Sequence, residues 1–250
     1  GTRARLFLNG EETGGGRAFA HIATGPNAGV SVELPRMGKD AWENVVACPF
    51  EQEKTVVIGT DDSSPGQVYV YVGTKQSTGS EVQRAGLMNG KVYGVIANAI
   101  RTEDRTLGIV AKGQSAPFTL ADLGDASALG YVTETTADNA GCTEFLRPED
   151  GAWDTLDPDR FYFVTTNAFT EPSQLWALDF VDATNPALGG TIKLLLNGSE
   201  GQKMFDNITV DGQGRVLLQE DVGNNVHLGK IWQYDPVSDA LSQLATHDPS

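Results

Sequence analysis

The residues best suited to chemistry in this chain are carboxylates that recur at the ends of short apolar segments. Arg5-Leu6-Phe7-Leu8-Asn9-Gly10 runs into Glu11-Glu12, Thr55-Val56-Val57-Ile58-Gly59-Thr60 into Asp61-Asp62, and Arg215-Val216-Leu217-Leu218-Gln219 into Glu220-Asp221. In a fourth copy, Phe161 to Asn167, the acids give way to Thr165, Thr166 and Asn167. A second set, Glu43, Glu149 and Asp206, opens the strand that precedes three of these segments. If a first strand starts at one face, the hairpin lies at the opposite face and the second strand returns, so both sets of acids share a face. Crowded carboxylates must either take up protons or bind cations. An all-oxygen donor set favours hard ions: Ca²⁺, with roughly six to eight oxygen ligands, and also Fe³⁺ or Mn²⁺. Arg147 stands two residues before Glu149 and therefore on the same side of an extended chain, where its planar fork could grip phosphate.

The elements that must position these groups are strands. The segments begin at residues 5, 55, 161 and 215, a spacing of about fifty residues that predicts a further unit near Leu107-Gly108-Ile109-Val110-Ala111. The fullest unit runs from Phe205 through a turn at Asp211-Gly212-Gln213-Gly214 to Glu220-Asp221, then through a third strand at Lys230 to Tyr234 and a fourth at Leu241 to Leu244. This grammar predicts an all-β chain, a β-propeller of four-stranded blades with about five visible, whose innermost strands bring the acids to the mouth of a central channel. Residues 1–250 are expected to form one propeller domain, incomplete at one or both ends. Trp153, Trp176, Trp232 and Tyr69 are expected as core wedges between blades.

Lys and Arg number 18 against 33 Asp and Glu, a formal charge of -15, which repels phosphate backbones and argues against nucleic acid as a partner. No run of about twenty apolar residues is present, so membrane insertion by a helix is not expected. His21, His227 and His247 lack zinc-site spacing, Gly14-Gly15-Gly16 lacks the lysine of a phosphate loop, and no GxSxG elbow occurs. Cys48 and Cys142 read as buried thiols, with a bridge between them left open.

Several segments together resemble the PhoX-type alkaline phosphatases and their propeller relatives. They are Asn9-Gly10-Glu11-Glu12, Trp42-Glu43-Asn44, Phe145-Leu146-Arg147-Pro148-Glu149-Asp150, Phe205-Asp206-Asn207-Ile208-Thr209-Val210-Asp211, Gln219-Glu220-Asp221 and Gly229-Lys230-Ile231-Trp232. The resemblance implies a six-bladed propeller, periplasmic or extracellular, that hydrolyses small-molecule phosphomonoesters with calcium and iron. It implies Glu11, Glu43, Glu149 and Glu220 as metal-binding glutamates and Arg147 as the catalytic arginine on the substrate phosphate; Glu12, Asp61, Asp62, Asp206 and Asp221 complete the candidate metal set. Two departures stand out: the family's metal-binding cysteine belongs upstream of the Glu-Glu strand, and Trp42 stands where the family commonly has His. A sixth blade is also unaccounted for, so another chain or segment is expected to close the ring. The competing expectation is a calcium-stabilised extracellular propeller serving as a scaffold or assembly subunit without turnover. A plainer one has the acids merely capping strands at a solvated rim.

Overall fold

The computed structural model describes residues 4–223 and 225–248. The chain is all-β. A first antiparallel group contains β1 (Leu6–Gly10), β2 (Glu12–Ile22) and β3 (Ser31–Glu33), and β2 passes the sheet on to β4 (Lys39–Ala47). β4 begins an antiparallel run with β5 (Lys54–Asp61), β6 (Val68–Thr74) and β7 (Lys91–Ala97). The strand β8 (Ser115–Asp122) follows, and then the run β9 (Pro148–Trp153), β10 (Arg160–Thr165), β11 (Gln174–Phe180) and β12 (Gly190–Leu196). The last four strands, β13 (Phe205–Val210), β14 (Val216–Glu220), β15 (Lys230–Asp235) and β16 (Ala240–Thr246), form a separate sheet in chain order. Two short helices, α1 (Glu81–Arg84) and α2 (Thr133–Ala140), lie in connections.

β8 pairs with β7 on one side and β12 on the other, joining the outer edges of two runs into one long sheet. That sheet curls until its inner edges meet: Trp153 Nε1 of β9 donates to the Val46 carbonyl of β4 at 3.0 Å. β13 lies on the other flank of β9, where the Ile208 amide donates to Asp150 Oδ2 at 3.1 Å. Three first strands, β4, β9 and β13, thus stand side by side.

Burial explains the arrangement. β5 and β6, Lys-Thr-Val-Val-Ile-Gly-Thr-Asp and Val-Tyr-Val-Tyr-Val-Gly-Thr, are buried on both faces and read as nearly continuous β-branched and aromatic runs, whereas the outermost β16 is largely exposed. Val56, Ile58, Val70, Phe163, Trp176 and Ile192 fill the inside of the curl. Trp42, Tyr69 and Tyr71 pack under β1 and β2, and Tyr162, Leu175, Phe205 and Trp232 join the last sheet to the run before it. Trp153, Trp176, Trp232 and Tyr69 are all buried core residues: Trp153 and Trp176 lie inside the curl, Tyr69 with the cluster under β1 and β2, and Trp232 against the last sheet. Truncating any such aromatic to Ala costs about 3–5 kcal/mol.

The expected unit at Leu107–Ala111 is not a strand. Val110 and Ala111 donate their amides to Gln114 Oε1 at 2.8 and 2.7 Å, and Gly108 and Gly113 adopt positive φ, so the segment is a loop leading into β8. Cys48 and Cys142 are both free thiols, so the bridge left open is not formed.

Candidate metal centre

Three pairings along the inner strands share one irregularity. The register of β4 against β5 shifts between Trp42 and Asn44, that of β13 against β14 between Phe205 and Asn207, and that of β9 against β10 across Glu149 and Asp150. In each case the first strand carries one extra residue, a β-bulge that re-aims side chains out of the ladder. The residues released are Glu43, Asp206 and Glu149. They meet: one oxygen each from Glu43, Glu149 and Asp206 lies within 4.8 Å of the others, and Glu43 forms a second triad of the same reach with Glu12 and Asp62. A cleft of about 240 Å³ is lined by these five acids with Asp221, Arg147, Thr166, Phe169 and Met204.

The carboxylate doublets divide by alternation, since successive strand residues face opposite sides. The second member of each lines the cleft: Glu12, Asp62 and Asp221, with Thr166 in the copy that lacks acids. The first member faces away. Glu11 forms a two-point ion pair with Arg17 (2.7 and 3.0 Å), which holds its carboxyl down at about 2. Asp61 is fully buried, takes the Ser63 hydroxyl at 2.7 Å and stands beside Asp40; burial, then the Asp40 charge, push its carboxyl up to about 8. Glu220 accepts from the Lys203 amide (2.9 Å), Trp232 Nε1 (3.0 Å) and the Lys230 amide (2.9 Å) and pairs with His227 Nε2 at 2.8 Å, which leaves its oxygens no room for another ligand. The structure therefore puts Glu11, Asp61 and Glu220 outside the cluster and brings together Glu12, Glu43, Asp62, Glu149, Asp206 and Asp221.

Arg147 is the single cation among the residues lining the cleft. It holds a left-handed backbone with φ 55°, just before the bulge. Its Nε and Nη2 donate to the two oxygens of Asp62 at 2.9 and 3.0 Å, and Nη2 also reaches Glu149 Oε1 at 2.7 Å. One guanidinium does not neutralise six acids. Burial, then the Asp62 charge, drive Glu149 up to about 9 despite Arg147, and burial, then the Glu12 charge, raise Glu43 to about 7. Asp206 is raised by burial and then by Asp221. The cluster is thus short of positive charge. Its donors are all oxygens, as hard cations such as Ca²⁺ require, so the residues present fit a metal. Neither nitrogen nor sulfur stands among the residues of the two triads; Cys48 Sγ faces the Pro158 carbonyl, Cys142 packs against Gly94, and His21 bonds Asn9 and Ser31.

Sequence reasoning missed Asp150. Its side chain accepts from the Asn44 side-chain Nδ2 of β4 and from the Ile208 backbone amide of β13 while its backbone belongs to β9, so one half-buried carboxylate ties together the three strands that bear Glu43, Glu149 and Asp206. Thr166, whose hydroxyl donates to the Phe205 carbonyl, and Phe169 were also missed; the break in the acidic pattern at Thr165-Thr166-Asn167 was the one signal available.

A sequence model of the family described as Alkaline phosphatase PhoX matches residues 26–240. No curated protein matches the chain. Among solved structures, that of Pseudomonas fluorescens PhoX in complex with vanadate, a transition-state analogue, superposes with a TM-score of 0.70 at 13% identity, over 91% of this chain and 48% of that one. The likeness shows the fold, that of a β-propeller, and this chain spans about half the length of that protein. With the family match extending over most of its length, the chain belongs to the PhoX alkaline phosphatase family.

Proposed function

We propose that this chain carries the metal-binding face of a PhoX-type phosphomonoesterase, on a propeller of four-stranded blades that numbers six when the ring is complete. The observation that carries the reading is the pair of carboxylate triads sharing Glu43, with the Arg147 fork in the same cleft. Glu12, Glu43 and Asp62 would hold one cation and Glu43, Glu149 and Asp206 another, with calcium and ferric iron the ions such oxygens suit. Bound there, they would act as Lewis acids toward phosphate oxygens.

The chain's own residues do the rest. The bulges hold the acids ready before any ligand arrives, and Asp150 keeps their three strands in mutual register. Asp62 and Glu149 fix the Arg147 guanidinium by its Nε and Nη2, leaving Nη1 outside these bonds to donate to a phosphate oxygen and to stabilise charge that grows during displacement. Asp221, which lines the cleft but belongs to neither triad, would repel a second anion, so a substrate with one phosphate and a neutral ester group suits the cleft best. A periplasmic or extracellular setting, where calcium is plentiful, fits such a site.

The test is turnover of p-nitrophenyl phosphate by the full chain supplied with Ca²⁺ and iron. Glu149→Gln and Arg147→Lys should each lose most of it; unchanged turnover in either removes that residue from the mechanism. The all-oxygen donor set also favours a second reading, a calcium-stabilised propeller without catalysis. Elemental analysis separates the two, since calcium alone supports the scaffold and stoichiometric iron supports the enzyme.

A further inference from the structure

We infer that Phe169 is the platform on which the ester group of the substrate rests, and that it selects aryl or heteroaromatic phosphomonoesters over small alkyl ones. The inference rests on the phosphomonoesterase reading and names its substrate class. In the cleft six carboxylates, Arg147 and Thr166 make the polar surface; the other apolar lining residue, Met204, is buried, whereas Phe169 is 51% exposed. A phosphomonoester has two chemically distinct ends. Its anionic end belongs with Arg147 and the triads, which leaves the ester group beside the one exposed ring.

That ring is held in place. Asn225 Nδ2 donates to the Phe169 carbonyl at 2.9 Å, Lys203 Nζ donates to the Thr170 carbonyl at 2.9 Å, and a turn closes through the Glu171 amide to the Ala168 carbonyl at 3.0 Å. Gly223, at positive φ, lies under the ring: a Cβ there would stand 3.2 Å from Phe169 Cε1. A loop fastened at three points, with its aromatic side chain left half in solvent over a charged cleft, has a surface for a flat partner. Aromatic pairs gain from offset or edge contact beyond the area they bury, and a methyl or glyceryl group gains little from the same face.

The experiment uses two non-hydrolysable probes, phenylphosphonate and methylphosphonate, titrated calorimetrically into the metal-loaded chain, with hydrolysis of phenyl phosphate and methyl phosphate measured alongside. Wild type should bind phenylphosphonate about tenfold or more tightly than methylphosphonate. Phe169→Ala should bring the ratio to within about threefold by weakening the phenyl ligand alone, and Phe169→Tyr should keep it. An absent preference in wild type, binding of neither probe, a ratio that survives Phe169→Ala, or equal loss for both probes overturns the inference. A clear phenyl preference with no hydrolysis of either ester overturns the enzymatic reading and leaves the platform standing.

Discussion

Glu149→Gln should make the metal-free chain more stable above neutral pH, although it removes a proposed metal ligand. The folded chain holds Glu149 at about 9 against an ordinary 4.5, chiefly because the side chain is buried. Between those values the folded state keeps a proton that the unfolded state has released, so stability is full below the lower value and falls as pH rises toward the upper one. One such proton is worth about 1.4 kcal/mol per pH unit, so from pH 6 to pH 8 it removes roughly 3 kcal/mol. Glu43, raised to about 7, adds to the loss over the first half of that interval. For a chain of 250 residues each kcal/mol moves Tm by about 2–4 °C, which predicts a fall of roughly 6–12 °C from the Glu149 proton alone. The amide of Gln has nothing to ionise and should abolish most of that slope. The assay is thermal melting in EDTA at pH 6, 7 and 8, repeated with excess Ca²⁺. Calcium should restore wild type at pH 8 and the Gln variant much less. A wild-type Tm that stays level across this range in EDTA, or a Gln variant that falls just as steeply, would refute the reasoning.

Asp150→Ala removes the acceptor of the Ile208 amide and the shorter of the two acceptors of Asn44 Nδ2, leaving the latter only the Gly151 carbonyl at 3.4 Å, and should cost about 1–3 kcal/mol in urea unfolding, together with weaker calcium binding; full metal affinity would show that the tie between strands does not position the acids. Arg147→Lys replaces a fork by a point charge and should weaken inhibition by inorganic phosphate about tenfold or more, and an unchanged inhibition constant would place phosphate elsewhere. Glu12→Gln should lower calcium affinity in calorimetric titration, whereas Glu11→Gln, whose residue is engaged with Arg17 on the surface, should leave it as in wild type; the reverse pattern would exchange their roles.

Much of the architecture was legible. The turn at Asp211 to Gly214 and the strands on both sides of it follow from glycine geometry and alternation, and the structure has both; of the acids expected together at one face, Glu12, Glu43, Asp62, Glu149, Asp206 and Asp221 line one cleft and Glu11, Asp61 and Glu220 do not. Alternation taken one step further would have divided the doublets, because Glu11, Asp61 and Glu220 differ from Glu12, Asp62 and Asp221 only by facing the other way. The bulges at Glu43, Glu149 and Asp206 were not legible, because a bulge is a property of two strands in register and nothing in either strand alone reports the extra residue. Asp150 was hidden for the same reason: its partners Asn44 and Ile208 lie far away in sequence. Leu107 to Ala111 misled because a short apolar run between glycines reads alike as strand or loop, and Gln114 settles it by taking the amides.

Glu43, shared by both triads, is the proposed point at which bound cations would relieve the crowding of acids from three strands. Metal content by elemental analysis, on the full chain dialysed after loading with calcium and iron, tests it most directly. The account predicts bound metal in stoichiometric amount in wild type and its loss in Glu43→Gln, with Glu11→Gln unaffected. A wild type that retains no metal, or a Glu43→Gln variant that retains the full amount, would contradict it.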